Sequence, residues 1–142
     1  MATNAMGAVR TNIKLTNAVD EELVARGLLA PRLLRTCEVD ALVDTGSVYL
    51  VLPKAIVQQL GLRIVGQQPA TFADGREAMV DVTGAIQVEW EGRRTIEDAL
   101  VAGDEVLIGQ VVLEKLDLLV DCKNQRLIPN PKHPDYPVTY IL

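Results

Sequence analysis

The 142-residue chain predicts an all-β domain, closed on itself like a barrel, with one or two short helices. Three observations carry that expectation. The chain is 49% hydrophobic but only 4% aromatic, so Val, Leu, Ile and Ala must fill the core, and the β-branched ones among them favour strands. Its apolar runs are short and are separated by Gly-bearing turns. Only two stretches show the apolar spacing and the Pro and Gly punctuation of helices. At this length one domain is expected, with a modest core.

In chain order, residues 1–8 read as a loose leader, and residues 9–15 alternate enough to form an edge strand. Residues 17–31 carry Asp20, Glu21, Glu22, Gly27 and Pro31, a polar excursion with room for a helical turn. Residues 33–43 read as a long strand with Val39, Ala41 and Val43 on one face. It runs into Asp44-Thr45-Gly46-Ser47, and a second apolar strand follows at 49–52. Pro53 suits the first turn of a helix over 54–60, with Ile56 and Leu60 on one face and Gly61 as its stop.

Residues 70–72, Asp74-Gly75 and 77–82 spell a hairpin, since Asp-Gly supplies the positive φ of a tight primed turn. Residues 85–90, Glu91-Gly92 and 93–102 spell another, with Gly84 as a bend between them. Trp90 reads as a packing residue and Arg93-Arg94 as solvated hairpin surface. Val106-Leu107-Ile108-Gly109 is a buried strand ending in glycine, and a short helix is expected over 110–116. Residues 118–121 and 126–129 form a final pair. The tail, 130–142, follows Pro129, carries Pro131, Pro134 and Pro137, and reads as extended, packing only if something receives it. These elements sum to about eight strands.

Composition narrows the function. Net charge is −5 and the basic residues are scattered, so no nucleic-acid partner is expected. No apolar run is long enough for a membrane helix and the N-terminus has no apolar signal segment, so no membrane partner is expected and the cytoplasm is the default location. Cys37 and Cys122 lie far apart and read as reduced structural thiols. His133 is the only histidine, so no metal site and no serine triad through Ser47 are expected.

Asp44 is the chemical centre of the sequence. A carboxylate at the end of a buried strand is costly unless it is held by partners. Thr45 and Ser47 offer hydroxyls, and Gly46 lets a backbone N–H approach the acid. The competing reading is a structural turn in which Asp44 bonds only its own loop. For Asp74-Gly75 it is an ordinary hairpin, and for Leu107 to Gly109 plain core. A phosphoaspartyl site would need a parallel α/β sheet and further magnesium-binding acids, for which the chain has too few helices.

Three motifs in sequence order resemble the retropepsin-like, single-lobe aspartic proteases, of retroviral and bacterial type. They are Ala41-Leu42-Val43-Asp44-Thr45-Gly46-Ser47 with the following apolar strand, the Asp74-Gly75 hairpin, and Val106-Leu107-Ile108-Gly109 with its short helix. The resemblance spans residues 9–129. It departs from the retroviral pattern in having Ser47 where alanine is usual, Asp74, Arg76 and Glu77 where the flap tip is glycine-rich, and the 17–31 insert and Pro-rich tail.

The resemblance implies a closed acid-protease barrel, no cofactor, and an aspartic endopeptidase acting on a peptide or protein substrate. Such chemistry needs two facing carboxylates sharing a proton, and this chain has one Asp-Thr-Gly. A homodimer would therefore bring Asp44 of each copy to the two-fold axis. Thr45 would bond across the axis, Gly46 N–H would orient the acid, and Ser47 would support the loop. Ala73, Asp74, Gly75 and Arg76 would close over the substrate as a flap. Leu107, Ile108 and Gly109 would support the loop from beneath. The alternative is a dimeric module of the same fold that binds extended peptides with little or no cleavage.

Overall fold

The computed structural model describes residues 8–142, so the expected leader lies outside the described residues except for Ala8. The chain runs β1 (Arg10–Asn17), α1 (Ala18–Ala25), a 3-10 turn (Pro31–Leu33), β2 (Thr36–Val43), β3 (Leu50–Leu52), α2 (Lys54–Gln59), β4 (Ile64–Thr71) and β5 (Glu77–Thr83). It continues through β6 (Ile86–Trp90), β7 (Arg93–Glu97), β8 (Ala99–Val101), β9 (Val106–Ile108), α3 (Gln110–Leu116), β10 (Leu118–Asp121) and β11 (Arg126–Pro129).

Nine strands form one sheet in the order β4-β5-β8-β3-β9-β2-β1-β6-β7, and β10 pairs with β11 separately. The all-β class therefore holds, with three short α-helices among the described residues. No sheet closes into a barrel there, in contrast to the expected closed barrel: β4 and β7 end the large sheet without pairing with each other. Alternation in a sequence specifies strands and faces but not which strands stand at the ends. The same limit explains β1. Expected at an edge, it lies between β2 and β6, and both Ile13 and Leu15 are fully buried.

Several expected strands change extent. The one expected over 33–43 starts only at Thr36, because Pro31 opens a 3-10 turn over Pro31–Leu33. β4 begins six residues before the expected 70, because the polar run Gly66-Gln67-Gln68-Pro69 hides a strand that β5 holds by register pairs from Ile64↔Thr83 to Thr71↔Glu77. The expected arm 93–102 splits at Asp98, with β7 pairing β6 and β8 pairing β5 and β3. The primed turn expected at Asp74-Gly75 forms at the other hairpin instead. Glu91 (φ 43°) and Gly92 (φ 84°) make the turn with two positive φ values, whereas at residues 73–75 only Gly75 (φ 84°) is positive. There Gly75 N–H donates to Phe72 O at 2.9 Å and Asp74 Oδ1 accepts from Arg76 N–H at 2.9 Å.

The polar excursion folds because its polar residues are partnered. Asn17 caps α1, accepting from Val19 and Asp20 N–H at 3.0 and 3.1 Å, and its amide donates to Leu60 O at 2.9 Å. Buried Asp20 takes a forked pair of bonds from the Arg35 guanidinium at 2.8 and 2.9 Å, which holds its carboxyl below the usual carboxylate range.

Strand order at the sheet centre positions the Asp44 loop. β9 pairs with β2 in parallel (Ala41↔Val106, Val43↔Ile108) and with β3 in antiparallel fashion (Val51↔Leu107), so it threads between them. The β2–β3 connection must cross the end of β9, where Gly109 stands. Beneath it, Val112, Leu113 and Leu116 of α3 join Ile108, Leu50 and Leu52 in one apolar core.

The tail finds its receiver at the end of α3. Asp117 adopts a left-handed cap (φ 55°) and its carboxylate accepts from Asn130 Nδ2 at 3.0 Å and Val138 N–H at 3.1 Å, with His133 Nδ1 at 2.6 Å. Arg93, expected to be solvated, is instead buried here. It donates to Leu116 O (2.9 Å), Asp117 O (3.1 Å) and His133 O (2.6 Å), which a hairpin pattern alone does not reveal.

These bonds, Asn130 first, hold the Asp117 carboxyl below its ordinary value. A folded-state value below the unfolded one stabilises the fold above the unfolded value, about 4, and that contribution is lost as pH falls through the folded value. Asp117→Asn, which tolerates the left-handed cap, is expected to melt below wild type at neutral pH, the gap shrinking as pH drops from about 5 towards about 2. A gap independent of pH in paired thermal melts would refute the role of the charge.

Candidate active site

Asp44 follows β2 directly and is half-buried. Its N–H donates to Ile108 O at 2.9 Å, which continues the β2–β9 pairing into the loop. Both carboxylate oxygens have a donor from the same turn. Oδ1 accepts from Gly46 N–H at 3.0 Å and Oδ2 accepts from Ser47 Oγ–H at 2.8 Å. One donor on each oxygen fixes the plane of the carboxylate and leaves its remaining lone pairs open to the cleft.

The loop rests on α3. Gln110 N–H donates to Ser47 O at 2.9 Å and Val111 N–H to Val48 O at 3.0 Å, so helix donors with no intrahelical partner carry loop carbonyls. Gln110 Nε2 also donates to Thr45 O at 2.7 Å. Gly109 makes this approach feasible. A Cβ there would stand 2.5 Å from Tyr49 O and 2.7 Å from Ser47 O. Gly46 is likewise close to the acid, its missing Cβ falling 3.2 Å from Asp44 Oδ1.

Asp44, Gly46 and Ser47 line a cleft of about 670 Å³. The lining continues along the β4–β5 hairpin, from Gln68 up to its turn at Ala73, with Val80 of β5. Val51, Leu100 and Leu107 add apolar lining, and Asp104 and Glu105, from the connection between β8 and β9, add acidic lining. Glu105 pairs with Arg10, which also holds Asp40 at 2.8 Å.

The residues singled out in the sequence divide accordingly. Asp44, Gly46, Ser47, Ala73 and Leu107 line the cleft. Thr45 is exposed beside it, while Asp74, Gly75 and Arg76 form the hairpin tip beyond the lining, where the Arg76 guanidinium lies 4.5 Å from the Phe72 ring centre. Ile108 is in the core and Gly109 packs under the loop, whereas Leu107 faces the cleft, because neighbouring strand residues point to opposite faces. Val51 and Val80 join the lining without having been singled out, although strand alternation marks Val51 as facing away from buried Leu50 and Leu52. Gln110 carries no sequence signal at all.

No protein-family model matches the chain, and no curated protein matches it. Solved structures do. The EIAV protease, in complex with the inhibitor HBY-793, superposes with a TM-score of 0.54 at 16% identity, covering 80% of this chain and 92% of that one. A retropepsin-like aspartic protease from Rickettsia conorii gives 0.51 at 17% identity, covering 84% and 80%. The chain thus has a retropepsin-like fold, the one its three motifs resemble. At such identity the likeness is one of fold.

Proposed function

We propose that this protein is an aspartic endopeptidase whose active site forms between two copies of the chain. The observation that carries the reading is the Asp44 carboxylate, held on both oxygens by Gly46 N–H and Ser47 Oγ–H at the lining of a cleft roomy enough for a peptide.

One Asp44 supplies one carboxyl, and peptide hydrolysis by this route uses two. Facing acids a few ångströms apart cannot both be ionised, so the pair holds one proton and titrates as a unit. The ionised member takes a proton from water as the water oxygen attacks the scissile carbonyl carbon. The protonated member gives its proton to the carbonyl oxygen, so the tetrahedral intermediate forms without a free oxyanion. Collapse breaks the C–N bond, with a proton passing from the dyad to the leaving amine. Two-fold symmetry is the economical source of the second acid. Thr45, exposed at the loop's tip, would meet its twin across the axis. Residues 68–73 of the β4–β5 hairpin line the same cleft as Asp44, and an extended peptide lying there would be held by backbone hydrogen bonds. Ala73, Asp74, Gly75 and Arg76 are the residues to close over it.

Incubation with a denatured protein mixture between about pH 3 and 7, read as new N-termini by mass spectrometry, tests this. Cleavage favoured by acid, with specific activity falling on dilution, is expected. A dimer that binds peptides and cuts none would support the binding-module reading instead. A strict monomer at all concentrations would end the proposal.

A further inference from the structure

The peptide unit joining Thr45 to Gly46 is gripped at both ends. Its carbonyl oxygen accepts from Gln110 Nε2 at 2.7 Å, and its N–H donates to Asp44 Oδ1 at 3.0 Å. A peptide unit is planar, with its C=O and N–H pointing in opposite directions. Fixing the direction of one therefore fixes the other. A unit ending in glycine turns over easily, since glycine has no Cβ to oppose a new φ. Half a turn would remove the donor from Asp44 and present a carbonyl oxygen to a carboxylate.

Gln110 is well founded for this task. It is the first residue of α3, and its N–H donates to Ser47 O at 2.9 Å. Val112, Leu113 and Leu116 of the same helix are buried. The side chain thus reaches the loop from an element locked into the core.

We infer that Gln110 is a positioning residue, which holds the Thr45–Gly46 peptide plane so that Gly46 N–H stays on the Asp44 carboxylate. The kinetic consequence rests on the proteolytic reading, whereas the geometric one does not. Asp104 and Glu105 are the other acidic side chains lining the cleft, Glu105 paired with Arg10, and they are present in every variant compared below.

The experiment compares wild type with Gln110→Leu, which removes the donor at similar size, and Gln110→Lys, which restores one. In 15N-labelled protein, the Gly46 amide signal is followed against pH. In wild type the amide proton shift should follow titration of the carboxylate it bonds. In Gln110→Leu the amplitude of that response should fall by half or more, because the amide proton no longer stays on the carboxylate oxygen. Gln110→Lys should recover part of the amplitude, and all three proteins should melt within a few degrees of one another. In peptide cleavage, kcat should drop on the order of tenfold in Gln110→Leu with KM within about twofold. A Gly46 amide that titrates in Gln110→Leu with wild-type amplitude overturns the inference. If wild type itself cleaves nothing, the proteolytic reading falls, and the amide titration still decides what Gln110 does.

Discussion

Asp44→Asn is expected to lower peptide cleavage by at least about a thousandfold, equivalent to ~4 kcal/mol of transition-state stabilisation. The fold should survive. Asn has nearly the shape of Asp, its amide oxygen still accepts from Gly46 N–H, and its NH2 can donate to the Ser47 hydroxyl, so the loop keeps both internal bonds. What it cannot do is take a proton from water. Both copies lose the acid at once, so no residual base is left at the axis. A sharper form of the test uses mixtures. If equal amounts of the two proteins exchange subunits freely, about a quarter of the dimers are wild type on both sides. Activity should fall to that quarter. Retention of half the activity would mean that each chain works alone, and the shared-site mechanism would be lost even if Asp44 proved essential.

The second large effect is structural. Gly109→Ala is expected to destabilise the fold by ~3 kcal/mol, lowering the melting temperature by about 10 °C. The added Cβ would sit 2.5 Å from Tyr49 O, 2.7 Å from Ser47 O and 2.7 Å from Val48 C. These are backbone atoms, and no rotamer change relieves them. Relief requires the 47–49 segment to rise off α3, breaking the bonds from Gln110 and Val111 N–H to Ser47 and Val48 O. The cost would therefore appear in cleavage as well as in stability, since the same segment carries Asp44's Ser47 donor. Gly66→Ala is the control. Gly66 has nothing within 4 Å of the Cβ position and no positive φ, so its melt should stay within about 2 °C of wild type. Matching melts for Gly109→Ala and Gly66→Ala would show that the loop yields freely and that the close approach is unimportant.

The parts of the molecule that are legible in the sequence share one property: they are written in neighbouring residues. Alternation and β-branching mark most strands, Pro53 and Gly61 bracket α2, and the apolar runs on either side isolate Asp44-Thr45-Gly46-Ser47 as a loop that needs a reason. Gly109 stands out because it ends an apolar strand. What stays hidden depends on residues far apart in the chain. The polar run from Gly66 to Pro69 conceals a strand that exists because β5 pairs with β4 along its whole length. Arg93 resembles surface because its acceptors, at residues 116, 117 and 133, lie on other parts of the chain. Gln110 has no pattern to announce it, because a single amide-to-carbonyl bond across 65 positions leaves no trace in either neighbourhood.

Residue order alone settled the strand-rich class, the turn punctuation and the one acid worth asking about, because backbone preference and side-chain alternation act over a few residues. Folding in three dimensions decided that the large sheet stays open, that β9 passes between β2 and β3, and that both oxygens of Asp44 face donors beside a cleft. Those outcomes turn on which distant strands pair, and pairing is chosen by the burial of the whole core rather than by any local stretch of chain.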